Sequence, residues 1–185
     1  MKKIYVESLG CSKNLVDSEN MIGILSSKGY KVTEFADKAD YIIINTCSFI
    51  NDAKEESINT IVEAAKLKND SKKKIKIIVT GCLAQRYSEE LKQEIPEIDI
   101  FIGTNNFDKI DELIEKYEKE KEIICDINLE TDIKEDLPRH TLTPEYYAYL
   151  KISEGCDNCC TYCIIPKIRG KYKSRRIENI VNEAK

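Results

Sequence analysis

Two short runs, Tyr41-Ile42-Ile43-Ile44 and Ile77-Ile78-Val79, carry no polar residue at alternate positions. A strand with one face in water alternates apolar and polar residues. A strand without alternation is covered on both faces, as in a parallel sheet sandwiched between helices. The intervening windows supply such covers. Residues 17–28 place Met21, Ile22 and Leu25 on one helical face before Gly29 stops the pattern. Residues 52–66 repeat Ile58, Ile61, Val62 and Ala65 at helical spacing, and residues 107–117 align Ile110, Leu113 and Ile114. Strand-like runs at residues 3–8, 31–35, 41–45, 76–80 and 99–102 alternate with them. Residues 1–120 are therefore expected to form a doubly wound α/β domain around a parallel sheet.

Beyond residue 120 the pattern weakens. Residues 123–127 read as an edge strand. Residues 132–144 are polar, contain Pro138 and Pro144 and have no periodicity, so 121–143 is expected to be a linker. From 144 to 185 the order is a strand at 146–153, a cysteine-dense loop, and a helix opening near Ser174 that turns Ile177, Ile180, Val181 and Ala184 inward. One strand cannot cover such a helix, so this stretch reads as the truncated start of a second domain. A self-contained hairpin would bury too little core.

The chain of 185 residues holds eight cysteines, one histidine and no tryptophan. Glu7 breaks the first apolar run before a secretory segment could form, and no apolar stretch approaches the roughly 18 residues of a membrane span. A cytoplasmic location is expected, where a disulfide framework is disfavoured and metal, cluster or catalytic thiols remain. The balance of 29 basic and 33 acidic residues, net -4, excludes a chain that coats nucleic acid by bulk charge.

Cys11, Cys47 and Cys82 occupy equivalent places, in Ser8-Leu9-Gly10-Cys11, Asn45-Thr46-Cys47 and Thr80-Gly81-Cys82, each after a strand and before a helix. In an open parallel sheet such positions converge on the carboxyl edge, where ligands bind. Three thiolates there could hold an iron-sulfur cluster and leave one iron without a protein ligand. Cys125, inside an apolar run, reads as a core thiol. The densest signal is Cys156-Asp157-Asn158-Cys159-Cys160-Thr161-Tyr162-Cys163, in which Cys156, Cys160 and Cys163 make CxxxCxxC. Two CxxC pairs around zinc are the competing reading, but four ligands within eight residues close a tetrahedron awkwardly. A thioredoxin-like pair is disfavoured because Cys160 and Cys163 do not open a helix of the α/β domain.

CxxxCxxC with Tyr162 before its last cysteine resembles the radical S-adenosylmethionine enzymes. Ile164-Ile165-Pro166-Lys167-Ile168-Arg169-Gly170 with Ser174-Arg175 resembles their methylthiotransferase branch. Cys11, Cys47 and Cys82 match the auxiliary-cluster cysteines of that branch, so the resemblance spans essentially the whole chain. The run from Ser8 to Glu19, the run Arg139-His140-Thr141-Leu142-Thr143-Pro144 and the run from Tyr147 to Gly155 look like the members that modify a ribosomal protein. The tRNA-adenosine members usually carry a Gln-Met-Asn type run where this chain has Ser12-Lys13-Asn14.

The resemblance implies two 4Fe-4S clusters, one on Cys156, Cys160 and Cys163 that binds S-adenosylmethionine, and an auxiliary one on Cys11, Cys47 and Cys82. It implies hydrogen abstraction by a 5′-deoxyadenosyl radical and transfer of a methylthio group to the β-carbon of an aspartate in a small-subunit ribosomal protein. A flavodoxin- or ferredoxin-type reductant is implied as a partner. Such chemistry belongs to the cofactor, which the protein positions. Relatives continue into a full barrel and a further small domain, so these 185 residues alone are expected to be inactive. Cys159 stands where relatives commonly carry another residue, and spacing favours Cys160 as the ligand.

Lys167, Arg169, Lys171, Lys173, Arg175 and Arg176 form a basic run beside the loop, either a solvated face or a contact to substrate or RNA phosphates. His140 reads as a surface residue in the linker. Asp17 and Glu19, soon after Cys11, either shape the auxiliary site or, for Asp17, cap a helix.

Overall fold

The unalternating strands do pair in parallel. In the computed structural model, which describes residues 1–129 and 133–185, β1 (Lys3–Ser8) leads into α1 (Ser12–Ser27), then β2 (Lys31–Val32) and β3 (Tyr41–Thr46). There follow α2 (Asn51–Asp70), β4 (Lys76–Gly81), α3 (Cys82–Glu94), β5 (Ile98–Ile102), α4 (Ile110–Glu120) and β6 (Ile124–Asp126). The six strands lie in the order β2-β1-β3-β4-β5-β6, all parallel.

Successive residues of the central strands serve opposite faces. Ile42, Ile44, Ile77 and Val79 pack with Ile61, Ala65, Leu83 and Leu91 of α2 and α3. Tyr41, Ile43, Ile78 and Ile100 pack with Met21, Leu25, Ile110 and Ile114 of α1 and α4. Both faces are dry, which is why neither run tolerates a polar alternate. Stepping outward from β1, the chain goes one way to β2 and the other way to β3, so the order reverses between β1 and β3. The carboxyl ends of those two strands flank the crevice where open α/β sheets take ligands.

Two boundaries in this layer differ from expectation. The first helix starts at Ser12, five residues before Asp17, because the Leu15 amide already bonds the Cys11 carbonyl at 3.2 Å. The polar run Ser12-Lys13-Asn14 hid that first turn. The strand expected over 31–35 ends at Val32 at the sheet edge, and the chain turns through a short 3-10 helix at Ala36–Lys38.

The remaining elements are small: β7 (Ser153–Glu154), α5 (Ile165–Arg169), β8 (Lys173–Ser174) and α6 (Ile177–Ala184), with β7 and β8 antiparallel. The strand expected over 146–153 is reduced to Ser153–Glu154, since a strand persists only where a neighbour offers ladder bonds and β8 offers two residues. Tyr146, Tyr147, Tyr149, Leu150 and Ile152 are exposed. The helix expected near Ser174 begins at Ile177 and buries no residue; Ile177 is 73% and Val181 43% exposed, so its apolar face is not turned inward.

Residues 130–132 of the expected linker lie outside the described residues. The stretch from Leu137 to Leu142 is strapped to α1. Leu137 packs on the α1/α4 core, the His140 amide bonds the Glu19 carbonyl at 3.0 Å, and the Leu142 amide bonds Glu19 Oε1 at 2.7 Å. Glu19, fully buried, also receives Arg139 Nε at 2.9 Å and Nη2 at 2.6 Å.

Candidate functional site

Strand register brings the first three cysteines together. Thr46 of β3 pairs with Gly81 of β4, so Cys47 and Cys82 are the next residues along two strands that neighbour one another. Ser8 of β1 pairs with Asn45 of β3, two residues before Cys47, and Cys11 follows Ser8 by three. All three thiols line one cavity of about 950 Å³ at the carboxyl edge of the sheet. Cys47 and Cys82 are buried and Cys11 is exposed.

Glycines make this convergence possible at two of the three strand exits. Gly10 has φ 89° and Gly81 φ 88°, a backbone region open to glycine and costly for other residues. A Cβ at Gly10 would sit 2.6 Å from Cys47 Cβ, and one at Gly81 would sit 2.5 Å from the Thr46 carbonyl oxygen. A side chain at either position would push apart the strand ends that carry the thiols.

Beneath the thiols lies a buried polar layer. Asn14, fully buried, donates from Nδ2 to the carbonyls of Leu9 and Thr46, each at 2.9 Å, and so satisfies the ends of β1 and β3. Asn45 Nδ2 donates to the Asn14 carbonyl at 2.8 Å and to Ser18 Oγ at 3.0 Å. Ser57 of α2 accepts the Cys47 amide at 3.0 Å, and its one hydroxyl proton lies between the carbonyls of Ala53 at 2.8 Å and Cys47 at 3.1 Å. Asn14, Ser18, Asn45 and Ser57 escaped the sequence reading, since nothing distinguishes a buried polar side chain from a surface one until its partners are known. The nearest signal was Asn45, a polar residue ending a fully apolar strand.

The C-terminal segment closes the cavity. Gly155, Ile165, Ile168 and Arg169 line it opposite the strand ends, with Lys13, Phe49, Ile50 and Asp52 around them. Arg169 is 3% exposed. Its Nη1 lies 2.8 Å from Glu154 Oε2 and 3.5 Å from Asp17 Oδ2, and its Nη2 donates to Asn14 Oδ1 at 2.7 Å. Nη2 also points at Cys82 Sγ, 3.9 Å away. Lys151 pairs with Asp17 and, at 3.4 Å, with Glu154. Lys13 Nζ meets Glu154 Oε1 at 3.2 Å and the Ser153 carbonyl at 2.8 Å.

These charges set the titration of the site. Burial pushes the Cys82 thiol up, with the Arg169 guanidinium opposing the shift. Burial would also raise Glu154, but Arg169, Lys151 and Lys13 outweigh it and hold that carboxyl below its ordinary value. Asp17, five residues inside α1 and buried, is an ion-pair partner of the C-terminal segment and not a helix cap.

The second cysteine set lies on the loop between β7 and α5. The Cys156 amide bonds the Gly170 carbonyl at 3.1 Å and the Cys163 amide bonds the Cys160 carbonyl at 3.0 Å. Cys156 and Cys163 are half-buried, while Cys159 and Cys160 are exposed. Cys159 takes φ 44°, so the loop turns sharply between the two candidates for the middle ligand. Among the described residues, no three or more His, Cys, Asp or Glu side chains are grouped to hold a metal ion. Cys125 is exposed on the edge strand β6 and is not a core thiol; among the described residues, no strand pairs beyond β6.

Arginines of the basic run pair with carboxylates of the same chain. Arg169 is buried as described, Arg175 pairs with Glu183, and Arg176 Nε meets Glu135 at 2.8 Å. Lys167 and Lys171 are exposed. His140 is exposed and bonded through its backbone. Among the described residues, no helix is long and apolar enough to cross a membrane.

Residues 3–103 match the family described as Uncharacterized protein family UPF0004, and that match spans β1 to β5 with all three strand-end cysteines. The whole chain is 57% identical to the ribosomal protein uS12 methylthiotransferase RimO of Clostridioides difficile, covering 41% of that protein. Its identity to the protein of the same name from Thermoanaerobacter sp. is 52%, over 42% of that protein. The Trichlorobacter lovleyi protein, also so named, is 48% identical over 41% of its length. The chain thus spans about two-fifths of the length of the relatives it matches. The six-stranded parallel sheet, the cysteines at its carboxyl edge and this match establish that the chain belongs to the UPF0004 family.

Proposed function

We propose that this chain is the cluster-holding portion of a methylthiotransferase that modifies an aspartate β-carbon of ribosomal protein uS12. The observation that carries the reading is the cavity into which Cys11, Cys47 and Cys82 converge from three parallel strands. Its donor set fits the iron-sulfur cluster that the sequence resemblance implies. Three thiols around a wide cavity suit a cluster whose irons each take one thiolate, whereas a lone structural zinc calls for four ligands closed on one point. In this reading residues 1–120 form the auxiliary-cluster domain, 121–143 connect it, and 144–185 open the radical S-adenosylmethionine domain. Cys11, Cys47 and Cys82 hold an auxiliary 4Fe-4S cluster, and Cys156, Cys160 and Cys163 hold the 4Fe-4S cluster that binds S-adenosylmethionine. When bound, the clusters and S-adenosylmethionine supply electron transfer, hydrogen abstraction and the methylthio group.

The protein's own residues do the positioning. Register and two left-handed glycines fix the strand-end thiols, Ser57 accepts the Cys47 amide, and Leu9, Ile50, Ile165 and Ile168 contribute apolar lining to the cavity. The Cys156 loop is tied to Gly170 and, through Glu154 and Arg169, to the floor of the same cavity. The enzyme acts in the cytoplasm with a flavodoxin- or ferredoxin-type reductant.

Anaerobic loading with iron and sulfide tests the reading. The expected result is about two cubane clusters per chain with a broad visible absorption, of which Cys47→Ala loses one and Cys156→Ala the other. Zinc with no visible band overturns it. Methylthioadenosine formed in tRNA by the full-length enzyme would overturn the ribosomal substrate.

A further inference from the structure

The wall of the thiol cavity beside Cys82 is charged, and one of its charges faces a thiol. Arg169 and Lys151, both buried, meet the buried carboxylates of Asp17 and Glu154 in ion pairs, and the partly exposed Lys13 adds a further contact to Glu154. Arg169 is 3% exposed. Its Nη1 serves both carboxylates, and among the described residues Nη2 meets no acidic side chain, only Asn14 Oδ1 and the Cys82 sulfur. The group that faces it is Cys82 Sγ, 3.9 Å from Nη2, and Cys82 lines the cavity together with Cys47 and Cys11.

We infer that Arg169 is a positioning residue for the strand-end centre: its guanidinium donates to the Cys82 sulfur, places a positive charge beside a thiolate-bound cluster, and thereby raises the cluster's reduction potential. This rests on the cluster reading above. Hydrogen bonds to ligand sulfurs and net charge near a cluster set its potential, and the groups behind the ligands tune affinity. Asn14 and Glu154 hold the guanidinium plane, so its direction is fixed by residues from both ends of the chain. The electrostatics of the first cysteine centre are in this way supplied by the segment that carries the second.

The test uses the chain with Cys156, Cys160 and Cys163 replaced by alanine, so that only the strand-end site loads. Iron content and far-UV circular dichroism are measured first, then the potential by titration followed with electron paramagnetic resonance. Arg169→Gln is expected to shift the midpoint negative, Arg169→Lys less so, and Asp17→Asn, which removes a negative charge, positive. Loss of iron from Arg169→Gln with retention in Arg169→Lys also supports a charge role. Unmoved midpoints, shifts of the same sign in Arg169→Gln and Asp17→Asn, or loss of iron from both Arg169 variants overturn the inference. Failure of the parent chain to bind iron instead overturns the cluster reading on which it rests.

Discussion

The chain carries two sets of three spaced cysteines, and they are held in opposite ways. Cys11, Cys47 and Cys82 are far apart in sequence, yet a buried sheet register, two glycine turns and a layer of satisfied amides bring them to one cavity. Cys156, Cys160 and Cys163 lie within eight residues, on a loop flanked by two-residue strands and a five-residue helix. Long-range convergence demands a rigid scaffold. Local convergence demands only a flexible loop, and the metal itself can complete it.

The largest effect on this contrast should come from the core. Ile78→Ala, in the centre of β4 and fully buried, is expected to cost about 2–5 kcal/mol in denaturant unfolding. In alkylation of the cluster-free chain, Cys47 and Cys82 should become reactive in this variant while Cys160 keeps its wild-type rate. Protection retained at Cys47 and Cys82 would mean the sheet does not hold the site.

Next comes the ion network that joins the regions. Glu154→Gln is expected to lower stability by about 2 kcal/mol near neutral pH, the scale of a charged hydrogen bond lost in a mostly buried site. Because the folded protein holds this carboxyl below its ordinary 4.5, its stabilisation is complete above that value and is lost as pH falls through the lower folded value. The gap between wild type and variant, followed by denaturant unfolding, should therefore be constant from pH 7 to about 5 and close in stronger acid. A gap that widens on acidification would break the assignment.

Gly81→Ala should cost about 1–3 kcal/mol, since it forces a left-handed residue against the Thr46 carbonyl. Iron binding by Cys156, Cys160 and Cys163 should survive it, while loading of the strand-end site falls. Smallest is Arg176→Gln: the side chain is 76% exposed, and the denaturation midpoint should not move.

The sheet was legible because its cause is local. Ile42-Ile43-Ile44 and Ile77-Ile78-Val79 read as two-faced strands, and the helical windows at 17–28, 52–66 and 107–117 gave both covers. What escaped was polar. Ser12-Lys13-Asn14 looks like loop and is the first turn of α1, and Asn14 is as buried as any core residue while entirely polar in its bonds. The departures at the C-terminal end have one origin. The run at 146–153 and the face of α6 have strand and helix periodicity, but periodicity forms buried structure only when a partner surface is present, and β8 provides two residues. Cys125 illustrates the same limit, since an apolar neighbourhood in sequence does not tell an edge strand from a central one.

By itself, then, the sequence determined the parallel α/β layer and the strand-end placement of Cys11, Cys47 and Cys82, because hydrophobic period and strand-to-helix order are properties of neighbouring residues. The tertiary structure alone decided that these thiols share a cavity with Arg169, that Asp17 and Glu19 bind the distant segment and not their own helix end, and that arginines of the basic run pair with carboxylates of the same chain. The Arg139–Glu19 and Arg169–Asp17 pairs join residues more than 100 positions apart in the chain, and no local pattern encodes that meeting.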